Sequence, residues 1–309
     1  MAAPDSIVGA AGESYPMYIV KTVFLLLLSF SALSATGAKE REVKKREPDL
    51  IVSYYGRPHS RVGVLGRYSV ESAVRKIRAK AAEYKKLAGV EKVTPGFDII
   101  YDLATSSPGR DGNYIAALPE KSLMRYIDAA EKNNFIVVLD LQLGKKTPAS
   151  SVKSVLKYLK HKSVHIAIDP EFYVGNLKVR PGKKIGHISA AQVNAAQKIV
   201  SDYLHKNGIG RKFFIVHMFT NGMVRHKSSL KNFDNIDLIA NLDGHGSPTL
   251  KINIYNGLYT RSLAAKASSG FKLFFTEDKP YMMSPAQALG LKKAQGRRIK
   301  TRPHFINYQ

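Results

Sequence analysis

Acidic residues recur at the ends of apolar runs in this sequence, and their placement is the first sign of chemistry. "HIAIDPEF" (165–172) carries Asp169 and Glu171 around Pro170, directly after Ile166, Ala167 and Ile168. "FIVVLDLQ" (135–142) ends in Asp140 and Gln142, and "IDLIANLD" (236–243) ends in Asn241 and Asp243. "KFFIVHMF" (212–219) places His217 near its end. Two carboxylates held close in a partly dry cleft split their pKa values, leaving one protonated and the other charged. Hydrolysis of a glycosidic bond requires such a pair. On this reading Glu171, on the longer arm, donates the proton. Asp169 tunes it or orients an acetamido group, and Asp140 or Asp243 is the second carboxylate. Tyr54, Tyr55, Tyr101 and Phe172 offer ring faces for a sugar, and Gln142, His217 and Asn241 offer polar contacts.

These residues matter only if the chain brings them together. Alternate side chains of a strand share a face, so Ile136, Val138, Asp140 and Gln142 fall on one side, as do His165, Ala167, Asp169 and Glu171. The opposite parity, such as Val137 with Leu139, is apolar and suits packing against helices. Strand-like runs are expected at 51–56, 93–103, 135–142, 164–169, 212–219, 236–243, 270–277 and 304–309. Helix-like stretches lie between them at 70–87, 118–133, 148–160, 189–208, 223–232, 248–266 and 284–294. Pro95 and Gly96 suggest an irregular start to the second strand. Apolar strands alternating with amphipathic helices argue for a parallel sheet covered on its outer face. Eight such units favour a (β/α)8 TIM-type barrel, whose active sites lie at the C-terminal ends of the strands. An open doubly wound sheet is the rival. No Gly-x-Gly-x-x-Gly or Gly-x-x-x-x-Gly-Lys loop follows any strand, which disfavours its nucleotide-binding form.

Other uses of these residues are open at this level. Strand-end acids also cap helices or pair with basic residues. A metal site built from His217, Asp169, Asp243 and His245 is a second enzymatic option. However, no His-x-His or His-x-x-x-His spacing occurs at a strand end, so no metal or cofactor is expected. "DGHG" (243–246) reads equally as a tight strand-to-helix loop.

Composition bounds the rest. The 309-residue chain holds 48 Lys and Arg against 24 Asp and Glu, a formal charge of +24. Such a surface attracts polyanions, including acidic envelope polymers, an attraction that should fade as salt rises. The basic residues are dispersed and no RNA-binding aromatic signature stands out, so specific nucleic-acid recognition is not expected. Cysteine is absent, which excludes disulfides and thiolate chemistry. From Met17, "MYIVKTVFLLLLSFSALSATGA" has a secretory layout: Lys21, an apolar stretch from Val23 to Leu33, then small residues to Ala38. The apolar core is short for a membrane span, so cleavage after export is expected, with a retained anchor as the alternative. Residues 1–38 thus form an N-terminal extension and signal peptide, 39–50 a charged spacer and 51–309 the barrel.

The strings "YYGRPHSRVGVLG", "DGNYIAAL", "VVLDLQLG", "IAIDPEF", "VHMFTNGMV", "NLDGHG" and "GFKLFFTEDKPYMMSPAQAL", with a terminal "NYQ", resemble a family of secreted bacterial barrel proteins. The resemblance covers most of residues 51–309 and implies fold and export rather than a reaction. A looser likeness is to muramidase and chitinase barrels, which carry Asp-x-Glu at the end of a central strand, as Asp169 and Glu171 do. The muramidase pattern has an acid on its first strand, where this chain has Ser53 and Tyr54. The fuller chitinase signature has aspartates where this chain has His165 and Ala167. The expectation is an exported barrel that binds carbohydrate and hydrolyses a glycosidic bond, or a non-catalytic glycan-binding or envelope barrel.

Overall fold

The computed structural model describes residues 50–309. The expected signal segment or anchor at 17–38, and the expected spacer up to residue 49, lie outside the described residues. The elements, in chain order, are β1 (Leu50–Gly56), α1 (Val70–Lys85), β2 (Val93–Ala104), β3 (Ile115–Ala117), α2 (Glu120–Asn133), β4 (Ile136–Gln142) and α3 (Pro148–Val155). Then follow β5 (Val164–Asp169), β6 (Ile188–Ser189), α4 (Ala190–Lys206), β7 (Lys212–Met218), β8 (Val224–Arg225) and β9 (Ile236–Leu242). The chain ends with α5 (Pro248–Leu258), α6 (Arg261–Ala264), β10 (Ser268–Leu273), α7 (Pro285–Ala288) and β11 (Phe305–Tyr308).

Apart from β3, which joins antiparallel to β2, the main sheet runs β1-β2-β4-β5-β7-β9-β10-β11, and every neighbouring pair is parallel. β11 pairs back onto β1 through Ile51 with Phe305 and Tyr54 with Tyr308, which closes the barrel. The fold is therefore an eight-stranded parallel (β/α)8 barrel rather than an open sheet. Among the described residues no helix is long and apolar enough to cross a membrane.

Local chemistry accounts for the elements that frame the strand ends. Ser69, Thr147, Ser247 and Ser284 each cap a helix by accepting a backbone N–H three residues on, and the last three precede a proline in the first turn. Ser189 and Gln192 form a reciprocal capping box on α4. Buried Ala73, Ile77, Ala81 and Tyr84 make the inward stripe of α1. The Tyr84 hydroxyl meets that of Tyr308 at 2.6 Å, tying the first helix to the last strand.

Several expected elements differ. No α-helix forms at 223–232: β8 pairs with β6 there, and His226 adopts φ 57°, which stops helical continuation. The final helix shrinks to four residues because Gly290 turns left-handed at φ 72°, packed under Ile299. The 248–266 stretch divides into α5 and α6, with Thr260 capping the second. β2 is regular through Pro95 and Gly96, and its register breaks instead between Ile100 and Asp102.

The barrel interior has two zones. Ile51, Ile136, Val138, Ala167, Ile215, Ile239 and Phe305 fill it with apolar side chains. Toward the C-terminal mouth the inward residues become polar. Gly270 sits between the zones because nothing larger fits: a Cβ there would lie 2.6 Å from Asn241 Oδ1 and 3.1 Å from the Phe305 ring. Gly270→Ala should cost about 1–3 kcal/mol through this overpacking. Thermal denaturation of the variant tests this, and an unchanged melting temperature would mean that the interior has slack at this layer.

Candidate functional site

β1 brings Tyr55 to the mouth, β2 brings Asp98, β4 Asp140 and Gln142, and β5 Asp169. β7 contributes His217, β9 Asn241 followed by Asp243, β10 Lys272 and β11 Asn307. All are buried. His217 is the hub. Its Nδ1 lies 2.9 Å from Asp243 Oδ2 and its Nε2 3.8 Å from Asp140 Oδ1. Tyr55 donates its hydroxyl to Asp140 Oδ2 at 2.8 Å. Asn241 Nδ2 lies 3.3 Å from His217 Nδ1 and donates to Asn307 Oδ1, and Asn307 in turn donates to Asp98 Oδ2 at 2.8 Å. The Lys272 ammonium rests 3.5 Å from the centre of the Tyr55 ring and 3.8 Å from Asp243 Oδ2.

Above this layer opens a cleft of about 340 Å³. Its walls include Tyr55, Gln142, Asp169, Glu171, Phe172, Asp243, Lys272 and Glu277. Glu171 reaches it because the strand ends at Asp169, whose Oδ1 accepts the Glu171 N–H at 2.9 Å and caps the short turn Pro170–Phe172. Pro170 opens that turn, so Glu171 is carried by a turn and not by strand alternation. Gly186 fixes the turn from outside. It donates to the Glu171 carbonyl at 2.7 Å, and a Cβ there would lie 2.2 Å from the Pro170 oxygen.

Burial and neighbouring charges pull the carboxylates apart. Burial, and after it the Asp169 and Asp243 charges, push Glu171 up to about 7. Burial also raises Asp169 to about 7, with Asp140 and Asp243 adding and His217 opposing. Asp140 rises to about 6 for the same leading reason, and Asp98 is raised by burial. Asp243 goes the other way: burial acts to raise it, but the hydrogen bond and charge of His217 outweigh that and hold it below the usual carboxylate range. Burial opposes a charged His217, yet Asp140, Asp243 and Asp169 together lift it to about 10. His217 is therefore an imidazolium at neutral pH.

Some expected residues lie elsewhere. Tyr54 has the opposite parity and packs outside the barrel, edge-on to Phe275 and Tyr308. Tyr101 also faces outward, against Tyr158. Neither ring is on the cleft wall, unlike Tyr55 and Phe172. Asp140 lies beneath the wall with Tyr55 bonded to it, and His217 and Asn241 share that buried layer. Gln142 is on the wall, its Oε1 accepting the Ala104 N–H at 2.9 Å. His165 lies deeper on β5, where its Nδ1 accepts the Phe213 N–H and burial holds it well below the usual histidine range. Among the described residues no group of three His, Asp or Glu side chains is arranged to hold a metal ion.

Asp98, Asn307, Gly186 and Lys251, with its pairing to Asp278 just beyond the seventh strand, are additions that the sequence reading lacked. Asp98 was legible, since its parity on β2 matches Gly96 and Ile100. The others depend on long-range placement. Lys251, buried on α5, pairs with Asp278 at 3.0 Å and donates to the Gly244 and Lys272 carbonyls at 2.8 Å each. Asp278 accepts N–H groups from Gly246 and Phe274, so the pair joins the loops after β9 and β10.

No protein-family model and no curated protein sequence matches the chain. Solved structures with a similar course include the GH20 catalytic modules of the pneumococcal exo-β-D-N-acetylglucosaminidase StrH, at 11% identity and TM-score 0.43, covering 87% of this chain and 80% of that one. Another is the Bacillus subtilis mannanase man26, at 15% identity and TM-score 0.41, covering 87% and 82%. The barrel is defined by its own strand pairing, and no residue's role comes from these proteins.

The raised carboxylates make stability depend on pH. Folded Asp169 and Glu171 hold protons up to about pH 7, whereas unfolded they release them near pH 4. The folded state thus carries the extra protons, and stability falls as pH rises across that window. His217 continues the trend, since its contribution is lost as pH climbs from about 6.5 unfolded toward about 10 folded. Asp169→Asn should therefore be more stable than the parent by about 1–2 kcal/mol at pH 8 and gain nothing at pH 4. Urea denaturation at both pH values checks this, and equal differences at the two would contradict it.

Proposed function

We propose that the mouth of the barrel binds a glycan and hydrolyses a glycosidic bond, with Glu171 as proton donor and Asp243 as the charged carboxylate. One observation carries this reading: Glu171 and Asp243 share the walls of one cleft, while their surroundings push the first up and the second down. A divergent pair of titratable groups is what assigns acid and base roles. Glu171, part-buried on a turn at the rim, can hold a proton near neutral pH and deliver it to a leaving oxygen. Asp243, kept ionised by His217, can stabilise positive charge developing on a sugar ring or activate water. Asp169 positions Glu171 through the backbone bond, and wherever it is ionised its charge adds to the burial that raises Glu171. Tyr55 and Phe172 supply ring faces, and Gln142 and Lys272 supply polar contacts.

The secretory layout of residues 17–38 supports the companion proposal that this chemistry takes place outside the cytoplasm, on an envelope or extracellular glycan. The basic exterior supports attraction to acidic envelope polymers.

Glu171→Gln keeps size and polarity but removes the proton. On whichever glycan the parent cleaves in a reducing-end release screen, turnover should fall by about 10²–10⁴-fold. Affinity for the same glycan should stay within a few-fold. Undiminished turnover in the variant would remove Glu171 from the donor role, and no cleavage by the parent of any glycan tested would contradict hydrolysis.

A further inference from the structure

Large apolar side chains are exposed mainly at one end of this barrel. Among the described residues seven are exposed, and six of them follow the C-terminal end of a strand. Val62 comes after β1, Leu177 and Ile185 after β5, Leu250 in the first turn of α5 after β9, and Phe275 and Tyr281 after β10. The seventh, Leu291, lies between α7 and β11. Scattered apolar residues are ordinary on a protein surface, but their gathering on one face marks a place of contact. That face is the mouth.

The connection after β5 adds charge to this pattern. Between Tyr173 and Ser189 it carries Lys178, Arg180, Lys183 and Lys184 and no acidic residue. All four are exposed, and among the described residues none of them pairs with an acid. Leu177 and Ile185 flank them, 51% and 53% exposed, although Val174 and Ile188 of the same connection are buried. The loop is held at its base. Val174 donates its N–H to the Gly144 carbonyl at 2.8 Å, and Gly186 donates to that of Glu171 at 2.7 Å. Leu177 and Ile185 thus stand three residues and one residue from tied points, and the course of the backbone turns them outward. An acidic polysaccharide would use the four cations and leave both aliphatic chains in water. An anionic bilayer uses both features: its headgroups meet the cations, and Leu177 and Ile185 enter the boundary of the acyl chains.

We propose that the mouth face docks on an anionic lipid surface, with the loop 175–185 as its basic and apolar contact. The cleft then opens toward the bilayer, and a ligand carried at the membrane surface has the shortest way in. The Gly186 tie to the Glu171 carbonyl joins the docked loop directly to the rim of the cleft. The contact itself does not depend on what the cleft binds.

The chain has no cysteine, so a single introduced one can carry a polarity-sensitive dye. In the full chain, dye on Ile185→Cys should shift its emission to the blue on vesicles of equal parts phosphatidylglycerol and phosphatidylcholine. It should not shift on phosphatidylcholine alone, and the response should fade as salt is raised. The same dye on Lys206→Cys, an exposed position at the end of α4 and opposite the mouth, should stay unshifted. That control separates docking by the loop from any attachment through residues 17–38. Replacing Lys178, Lys183 and Lys184 with glutamine in the labelled Ile185→Cys chain should weaken vesicle binding by about tenfold or more. No shift at position 185, or equal shifts at 185 and 206, would overturn the proposal. Binding of soluble alginate with no response to the vesicles would assign the loop to acidic polysaccharide and overturn it as well.

Discussion

The mouth of this barrel depends on one constraint: several carboxylates are buried together inside a parallel sheet and must be kept from repelling one another. Removing an ion from water costs several kcal/mol even after relaxation, and only close opposite charge and satisfied hydrogen bonds offset that. His217 supplies the offset at the centre, with Asp243 on one ring nitrogen and Asp140 near the other. Lys272 adds a second cation above Asp243. Protons do the rest, since burial keeps Asp140, Asp169 and Glu171 partly protonated near neutral pH.

The same compensation sets the chemistry of the cleft. Because His217 faces Asp243, Asp243 stays charged; because Glu171 is largely buried, with Asp169 and Asp243 nearby, Glu171 holds its proton. The two states arise from one network and not from separate pockets. The surrounding loops keep it in place. Gly186 holds the Glu171 turn by close backbone contact, and Lys251 with Asp278 ties the segment after Asp243 to the one after Lys272. These supports are themselves buried, so a change in them moves the acids without touching them.

Much of the scaffold was legible in the sequence. Eight apolar runs with amphipathic stretches between them are enough to expect a closed parallel sheet, and alternation places Asp140, Asp169, His217 and Asn241 on inward faces. Alternation misleads where the strand has ended, as at Glu171, whose position comes from a proline-led turn. Aromatic type alone also misleads: Tyr54 and Tyr55 are adjacent, but one packs against Tyr308 outside while the other bonds Asp140 inside. Helix expectation fails at 223–232 because a left-handed backbone at His226 and a two-residue strand pairing override a weak pattern. The Lys251–Asp278 and Asn307–Asp98 contacts join residues 27 and 209 positions apart in the chain, and no local pattern announces them.

The charge state of His217 is the most direct measure of whether this network exists. In ¹⁵N-labelled protein, the two ring nitrogens of His217, assigned by loss of its signals in His217→Gln, report protonation through their chemical shifts. At about pH 8, where a free histidine is neutral, both nitrogens should carry protons and show imidazolium shifts. A neutral tautomer at that pH, with one bare ring nitrogen, would mean that the buried carboxylates are not balanced by His217.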